Sequence, residues 1–215
     1  EENVNAYATF ANYGTFIDAY LIEKIVSKDG QVIYEHQSKP VPVFSPQTSY
    51  LMIDMMRDVI RRGTASSLPY YLKFQADWAG KTGTGQNNQD SWFVATNPNV
   101  TFGVWMGYDT PAPLQLKYKG LSYSKRTQLL WAQLMNAAYD VKPQLIAPKT
   151  RFNMPGGIVR RAYCTVSGFV PSDLCEKAGL VNYDLYNTKF TPKQSKDQYL
   201  IEGRFVEVNG KRYIT

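Results

Sequence analysis

Residues 78–108 read WAGKTGTGQNNQDSWFVATNPNVTFGVWMGY, and the fold class turns on them. Two β-rich runs, Ser91 to Thr96 and Thr101 to Tyr108, flank Asn97-Pro98-Asn99. Asn-Pro-Asn is strong turn chemistry, so the runs are expected to pair as an antiparallel hairpin. Trp78 to Thr84 is expected as a further strand beside it, and the Gly-Gln-Asn-Asn-Gln stretch after Thr84 as a solvated connection. Inside that strand stand Lys81-Thr82-Gly83-Thr84. A glycine within a strand weakens it and marks close approach by another backbone or a ligand. Alternation puts the two threonine hydroxyls on one face and the lysine on the other. One ligand engages all three only at a sheet edge that borders a cleft. Such a site suits an extended peptide with a carboxylate end, bound by strand addition.

Upstream, Val4 to Asn12 has the pattern of a helix end, stopped by Gly14. It begins without a cap, as a cut chain would. Tyr20 to Val26 and Gln31 to Glu35 are expected as strands of a hairpin around Asp29-Gly30. Lys39 to Phe44 is an extended, proline-punctuated connection. Ser45-Pro46 then opens a helix, serine as cap and proline at the first helical position. Leu51, Met52, Met55, Met56, Val59 and Ile60 keep helical spacing and are expected in the core. Arg57, Asp58, Arg61 and Arg62 make the expected wet face, and Gly63 ends the helix. Ser66 to Phe74 reads as a loop into the central strand.

Downstream, Asp109 to Lys119 is a loop with two prolines. Ser122 or Ser124 caps a helix running through Tyr139, whose Leu129, Leu130, Trp131, Leu134 and Met135 are expected to lie against the sheet. Helices bracketing antiparallel strands make an α+β layer architecture. Lys142 to Thr150, with Pro143 and Pro148, is the expected boundary, dividing the chain into residues 1–141 and a small β-rich extension, residues 142–215. Within the extension, Ile158 to Thr165 is a candidate strand, Phe205 to Ile214 a hairpin around Asn209-Gly210, and Tyr183 to Lys196 polar and irregular.

Charge distribution and the scarcity of metal-ligating residue types bound the chemistry. Of 24 Lys/Arg and 18 Asp/Glu, twelve and twelve fall in residues 1–141, against twelve and six in residues 142–215, so the whole +6 excess belongs to the extension. A basic tail binds nucleic acid, anionic lipid or acidic polymer, or merely solubilises, and charge alone does not choose. His36 is alone, in a polar run expected to be exposed. With Cys164 and Cys175 it gives too few ligands for structural zinc, which takes about four, and no metal or other cofactor is expected. No apolar run approaches a membrane span, and the N-terminus lacks the shape of a signal peptide.

The Lys-Thr-Gly-Thr quartet, the aromatic hairpin after it and Gly63-Thr64-Ala65 before it resemble the third motif and surroundings of penicillin-binding proteins, the serine D,D-transpeptidases that cross-link peptidoglycan. The resemblance is greatest to the class A, bifunctional branch and covers roughly Tyr7 to Tyr139. It implies a partial penicillin-binding/serine β-lactamase-like fold. Lys81 would supply electrostatic support, Thr82 and Thr84 hydroxyls would hold the carboxylate of a β-lactam or of a D-Ala-D-Ala stem peptide, and Gly83 would let the acyl chain lie against the strand. The Thr84 N–H would be one oxyanion donor. The family's Ser-x-x-Lys and Ser-x-Asn motifs precede Lys-Thr-Gly, and neither is visible before Lys81. The implied partner is therefore an upstream half of the same protein, carrying the nucleophile and a membrane anchor, with this chain at the outer face of a bacterial membrane. Ser122-Tyr-Ser-Lys125 follows the quartet and reads as a helix start. An extracellular location further implies a Cys164–Cys175 disulfide, and an anionic wall polymer or lipid, not nucleic acid, as partner of the tail. The alternative for the chain in isolation is a non-catalytic wall- or partner-binding module.

Overall fold

The computed structural model describes residues 1–191, 197–200, 202–203, 205–208 and 211–214. The chain opens with helix α1 (Glu2–Ala11), which stops where Tyr13 and Gly14 adopt positive φ. Four short strands follow: β1 (Thr15–Phe16), β2 (Lys24–Val26), β3 (Val32–Glu35) and β4 (Val41–Pro42). β1 pairs with β4 inside the stretch read as a plain connection, and β2 pairs with β3, both antiparallel. The β2–β3 hairpin is shorter than its apolar pattern predicts because both of its faces are exposed, and an isolated pair gains little from burial. His36 is half-buried instead of exposed, its ring 3.8 Å from that of Tyr20 and stacked on it.

Helix α2 (Pro46–Arg61) begins as expected: Ser45 Oγ accepts the Thr48 N–H at 3.1 Å, and Pro46 fills the first helical position. A cap of this kind is worth about 1 kcal/mol. Its inner face, however, is Tyr50, Ile53, Met56, Arg57 and Ile60, while Met55 is 59% exposed. The expected methionine stripe is therefore rotated, and Arg57 leaves the wet face because it has a buried partner, described below. Gly63 follows the helix because a Cβ there would lie 2.7 Å from the Val59 Cα, a backbone atom that cannot yield.

After a 3-10 turn at Leu68–Tyr71, the central sheet forms from β5 (Ala79–Thr84), β6 (Ser91–Thr96) and β7 (Thr101–Met106), antiparallel in the order β5-β6-β7. The Asn-Pro-Asn turn closes the hairpin, with Asn97 Oδ1 accepting the N–H groups of Asn99 and Val100 at 2.9 Å each. A minor pair, β8 (Lys117–Tyr118) and β9 (Leu121–Ser122), leads into helix α3 (Tyr123–Val141) and the single turn α4 (Pro143–Ile146). α1 covers the sheet face bearing Val94 and Gly103; α3 covers the opposite face, bearing Phe93, Phe102 and Val104. Trp131 is the centre of that second layer. It is fully buried, its ring packs edge-on against Phe93 and Trp78, and its Nε1 donates to the Phe102 carbonyl at 2.9 Å. Only one side of α3 is buried; Leu130 and Leu134 remain exposed.

The chain divides into compact units at Pro155/Gly156, not at residues 141/142. The displacement has a packing cause. Ile146 is fully buried in the first unit's core, its carbonyl accepts Asn97 Nδ2 at 2.8 Å, and Phe152 is buried as well. Proline punctuation marked a bend in the backbone, not the end of the core.

The second unit contains β10 (Ile158–Cys164), α5 (Asp173–Lys177), β11 (Val181–Asn187), β12 (Phe205–Val208) and β13 (Lys211–Ile214). β10 and β11 pair antiparallel along their whole length, which corrects the irregular reading of residues 183–187. Asn182 and Asp184 interleave with Val181, Tyr183 and Leu185, so exposure of one edge of the pattern masked its period of two. β12 pairs with β13; the Asn209-Gly210 turn between them lies outside the described residues. Among the described residues no helix is long and apolar enough to cross a membrane.

Candidate active site

Strand β5 is an edge of the central sheet among the described residues: it pairs with β6 on one side only. The strand emerges from the core as it runs, Ala79 and Gly80 buried, Thr82 and Gly83 half-buried, Lys81 and Thr84 exposed. Its register against β6 sets Thr82 opposite Phe93 and Thr84 opposite Ser91, which places both threonines on the α3 side of the sheet. Lys81 and Gly83 take the other face, where Gly83 lies opposite Trp92. A Cβ on Gly83 would come within 3.1 Å of the Trp92 Cβ, a tight approach that favours glycine there.

Lys81 does not stay on its own face. Its Nζ donates to the Thr82 carbonyl at 2.7 Å, so the ammonium lies beside the strand backbone. The Thr82 hydroxyl lies 2.8 Å from the Thr64 hydroxyl, on the turn that follows α2. That turn is held from α3: Gln128 Nε2 donates to the Thr64 carbonyl at 3.2 Å, and Lys125 Nζ donates to the same oxygen at 3.5 Å and to Ser67 Oγ at 2.6 Å. Gln128 is fully buried. The result is an open wall carrying a cation, two threonine hydroxyls and strand backbone. Concave grooves of the first unit run along α1 beside Val4, Ala8 and Phe102, and along the stretch before β5.

A second polar cluster lies at the entry to β5. Arg57 Nε and Nη2 donate to the two Asp77 carboxylate oxygens at 2.8 and 2.6 Å, and Nη1 reaches Tyr50 Oη at 3.3 Å and Asp54 at 3.2 Å. Asp77 also accepts the Phe152 N–H at 2.9 Å, and the guanidinium stands 5.5 Å from the Phe152 ring centroid. Burial by itself would depress the Arg57 pKa and raise that of Asp77. The ion pair and its hydrogen bonds outweigh burial in both cases, holding Arg57 above and Asp77 below their ordinary values. Asp77 lies one residue before Trp78 and two before β5, so the cluster fixes the entry of the strand.

The remaining candidates separate cleanly. Ser122 Oγ accepts the Lys125 N–H at 3.2 Å as the cap of α3, while Lys125 Nζ is turned toward Ser67. Ser91 is fully buried, its Oγ 2.7 Å from Thr127 Oγ1. Cys164 and Cys175 are joined by a disulfide, Cα atoms 5.9 Å apart, linking the end of β10 to α5. Of the basic residues in 142–215, Lys142, Lys149 and Arg151 belong to the first unit. Arg160, Arg161, Lys177 and Lys189 are exposed in the second unit, while Lys193, Lys196, Arg204, Lys211 and Arg212 fall outside the described side chains. Sequence reasoning missed Arg57–Asp77 and Gln128. A glutamine at an inward position of an apolar helix is the one signal that pointed to either.

Comparison with known proteins gives a consistent result. Residues 1–134 match the model for the penicillin binding protein transpeptidase domain. The chain is 27% identical over 209 residues to penicillin-binding protein 1A of Clostridium novyi (strain NT), covering 96% of this chain and 23% of that protein. It is 39% identical over 150 residues to penicillin-binding protein 1F of Bacillus subtilis (strain 168), covering 67% of this chain and 20% of that protein. It thus spans roughly a fifth of the length of these relatives. Among solved structures, penicillin-binding protein 1A from Haemophilus influenzae superposes with a TM-score of 0.71 at 21% identity, covering 93% of this chain and 33% of that one. PonA1 from Mycobacterium tuberculosis, in complex with penicillin V, gives a TM-score of 0.56 at 23% identity, covering 71% of this chain and 39% of that one.

Proposed function

Because the chain belongs to the penicillin-binding protein transpeptidase family, we propose that it forms the Lys-Thr-Gly-Thr wall of a serine D,D-transpeptidase site. The observation that carries this reading is the position of the quartet on a strand that, among the described residues, is an edge of the central sheet, with Lys81 and Thr84 open to solvent. An extended acyl donor lies along that edge. Lys81 stabilises negative charge during proton transfer, and the Thr82 and Thr84 hydroxyls donate to the terminal carboxylate of a stem peptide or a β-lactam. The Thr84 N–H donates to the oxyanion that develops when a serine attacks the carbonyl. The serine and its base come from an upstream portion of the same protein, which also carries the membrane anchor and places the wall outside the cell. The roles of Ser91 and Ser122 in packing and capping support a nucleophile from elsewhere. The assay is labelling with a fluorescent penicillin. Residues 1–215 alone should form no stable adduct; joined to the upstream portion they should, on a serine outside this chain. A label on Ser91 or Ser122 refutes the assignment.

A further inference from the structure

We propose that Thr64 is a positioning residue for carboxylate recognition: it donates its hydroxyl proton to Thr82, which fixes the rotation of the Thr82 hydroxyl and aims the Thr82 proton at the substrate carboxylate. The inference rests on the transpeptidase reading above and adds a residue to it. The Thr64 and Thr82 hydroxyl oxygens are 2.8 Å apart, and between them only one proton can lie on the line of the bond. If Thr82 donates to Thr64, the Thr82 oxygen meets an incoming carboxylate with lone pairs, and the contact is repulsive. If Thr64 donates to Thr82, the Thr82 O–H is free to point outward from the open wall. An arriving carboxylate selects the second arrangement, because it accepts and cannot donate.

The turn that presents Thr64 is built for a fixed position. Ala65 is fully buried and its N–H donates to the Val59 carbonyl at 2.9 Å. The Thr64 carbonyl takes the side-chain amide of the buried Gln128, and Lys125 ties the same turn to α3 through Ser67. The Thr64 side chain itself is exposed, as is that of Thr84. A hydroxyl held this way contributes little to the core; its geometry matters for what Thr82 can offer.

The test uses the parent protein, joining these residues to the upstream portion, with a labelled penicillin and the same penicillin methyl-esterified at its carboxylate. Thr64→Val should weaken acylation by the free acid about threefold, because the Thr82 hydroxyl keeps its proton but loses the neutral hydrogen bond that orients and polarises it. The loss should appear in the concentration for half-maximal acylation, with the limiting rate little changed. Reaction with the ester should be unaffected, and Thr64→Ser should restore the wild-type preference for the acid. If Thr64→Val unfolds, Thr64→Ala reports the same ratio. An unchanged acid-to-ester preference, or equal losses with both penicillins, overturns the inference and leaves the transpeptidase reading standing. Failure of the wild-type parent to label at all instead removes that reading and the inference built on it.

Discussion

Replacing Asp77 by alanine strands a guanidinium that is 5% exposed. Two charge-assisted hydrogen bonds, at 2.8 and 2.6 Å, and the acceptor for the Phe152 N–H disappear together. Removing one partner of a buried ion pair costs about 3–5 kcal/mol, chiefly because the other charge is left uncompensated. Asp54 at 3.2 Å and Tyr50 at 3.3 Å still face Arg57, so the loss should fall near the lower end, about 3 kcal/mol. The assay is urea unfolding followed by tryptophan fluorescence. Trp78, Trp92, Trp105 and Trp131 all lie in the first unit, so the signal reports that unit alone. The paired replacement Arg57→Met with Asp77→Leu should recover most of the loss, since no charge is then stranded. The pH dependence has a definite sign. Asp77 is depressed in the folded state, so its contribution is present above the unfolded value of about 3.9 and is lost as pH falls through the lower folded value. Arg57 stays charged throughout and adds no alkaline limb. A single-variant loss under about 1 kcal/mol, or a paired variant no more stable than the single one, would refute the reasoning.

Two further outcomes are expected. Cys164→Ser with Cys175→Ser should destabilise the second unit by about 3 kcal/mol on the chain-entropy account, read as faster amide exchange along β10 and β11 while the first unit's unfolding midpoint stays put. Ser122→Ala should cost about 1 kcal/mol as a lost helix cap, leaving penicillin acylation of the parent protein unchanged.

The central hairpin was legible because the Asn-Pro-Asn turn and two alternating apolar runs agree with each other, and the structure pairs them along their length. The cap at Ser45 was equally plain, since serine before proline has few other uses. Local signals failed where a distant partner decided the outcome. Arg57 looked solvated because the sequence around it is charged; Asp77, twenty residues away, draws it inside. The boundary near residue 142 looked real because two prolines frame it, yet Ile146 and Phe152 complete the first core. The strand over 181–187 was hidden because exposed polar residues blur its alternation. At the candidate site, the quartet was readable as an edge strand, whereas the Thr64–Thr82 contact joins residues that only the fold brings together.

The most direct measurement is the rate of penicillin acylation in the parent protein with Lys81 replaced by alanine. Lys81 is exposed and its Nζ donates to the neighbouring Thr82 carbonyl, so its removal should leave stability within about 0.5 kcal/mol of wild type. Loss of its charge from an acyl-transfer site should slow acylation on the order of a hundredfold or more. Undiminished acylation by the folded variant would contradict the assignment of this strand to the transpeptidase site.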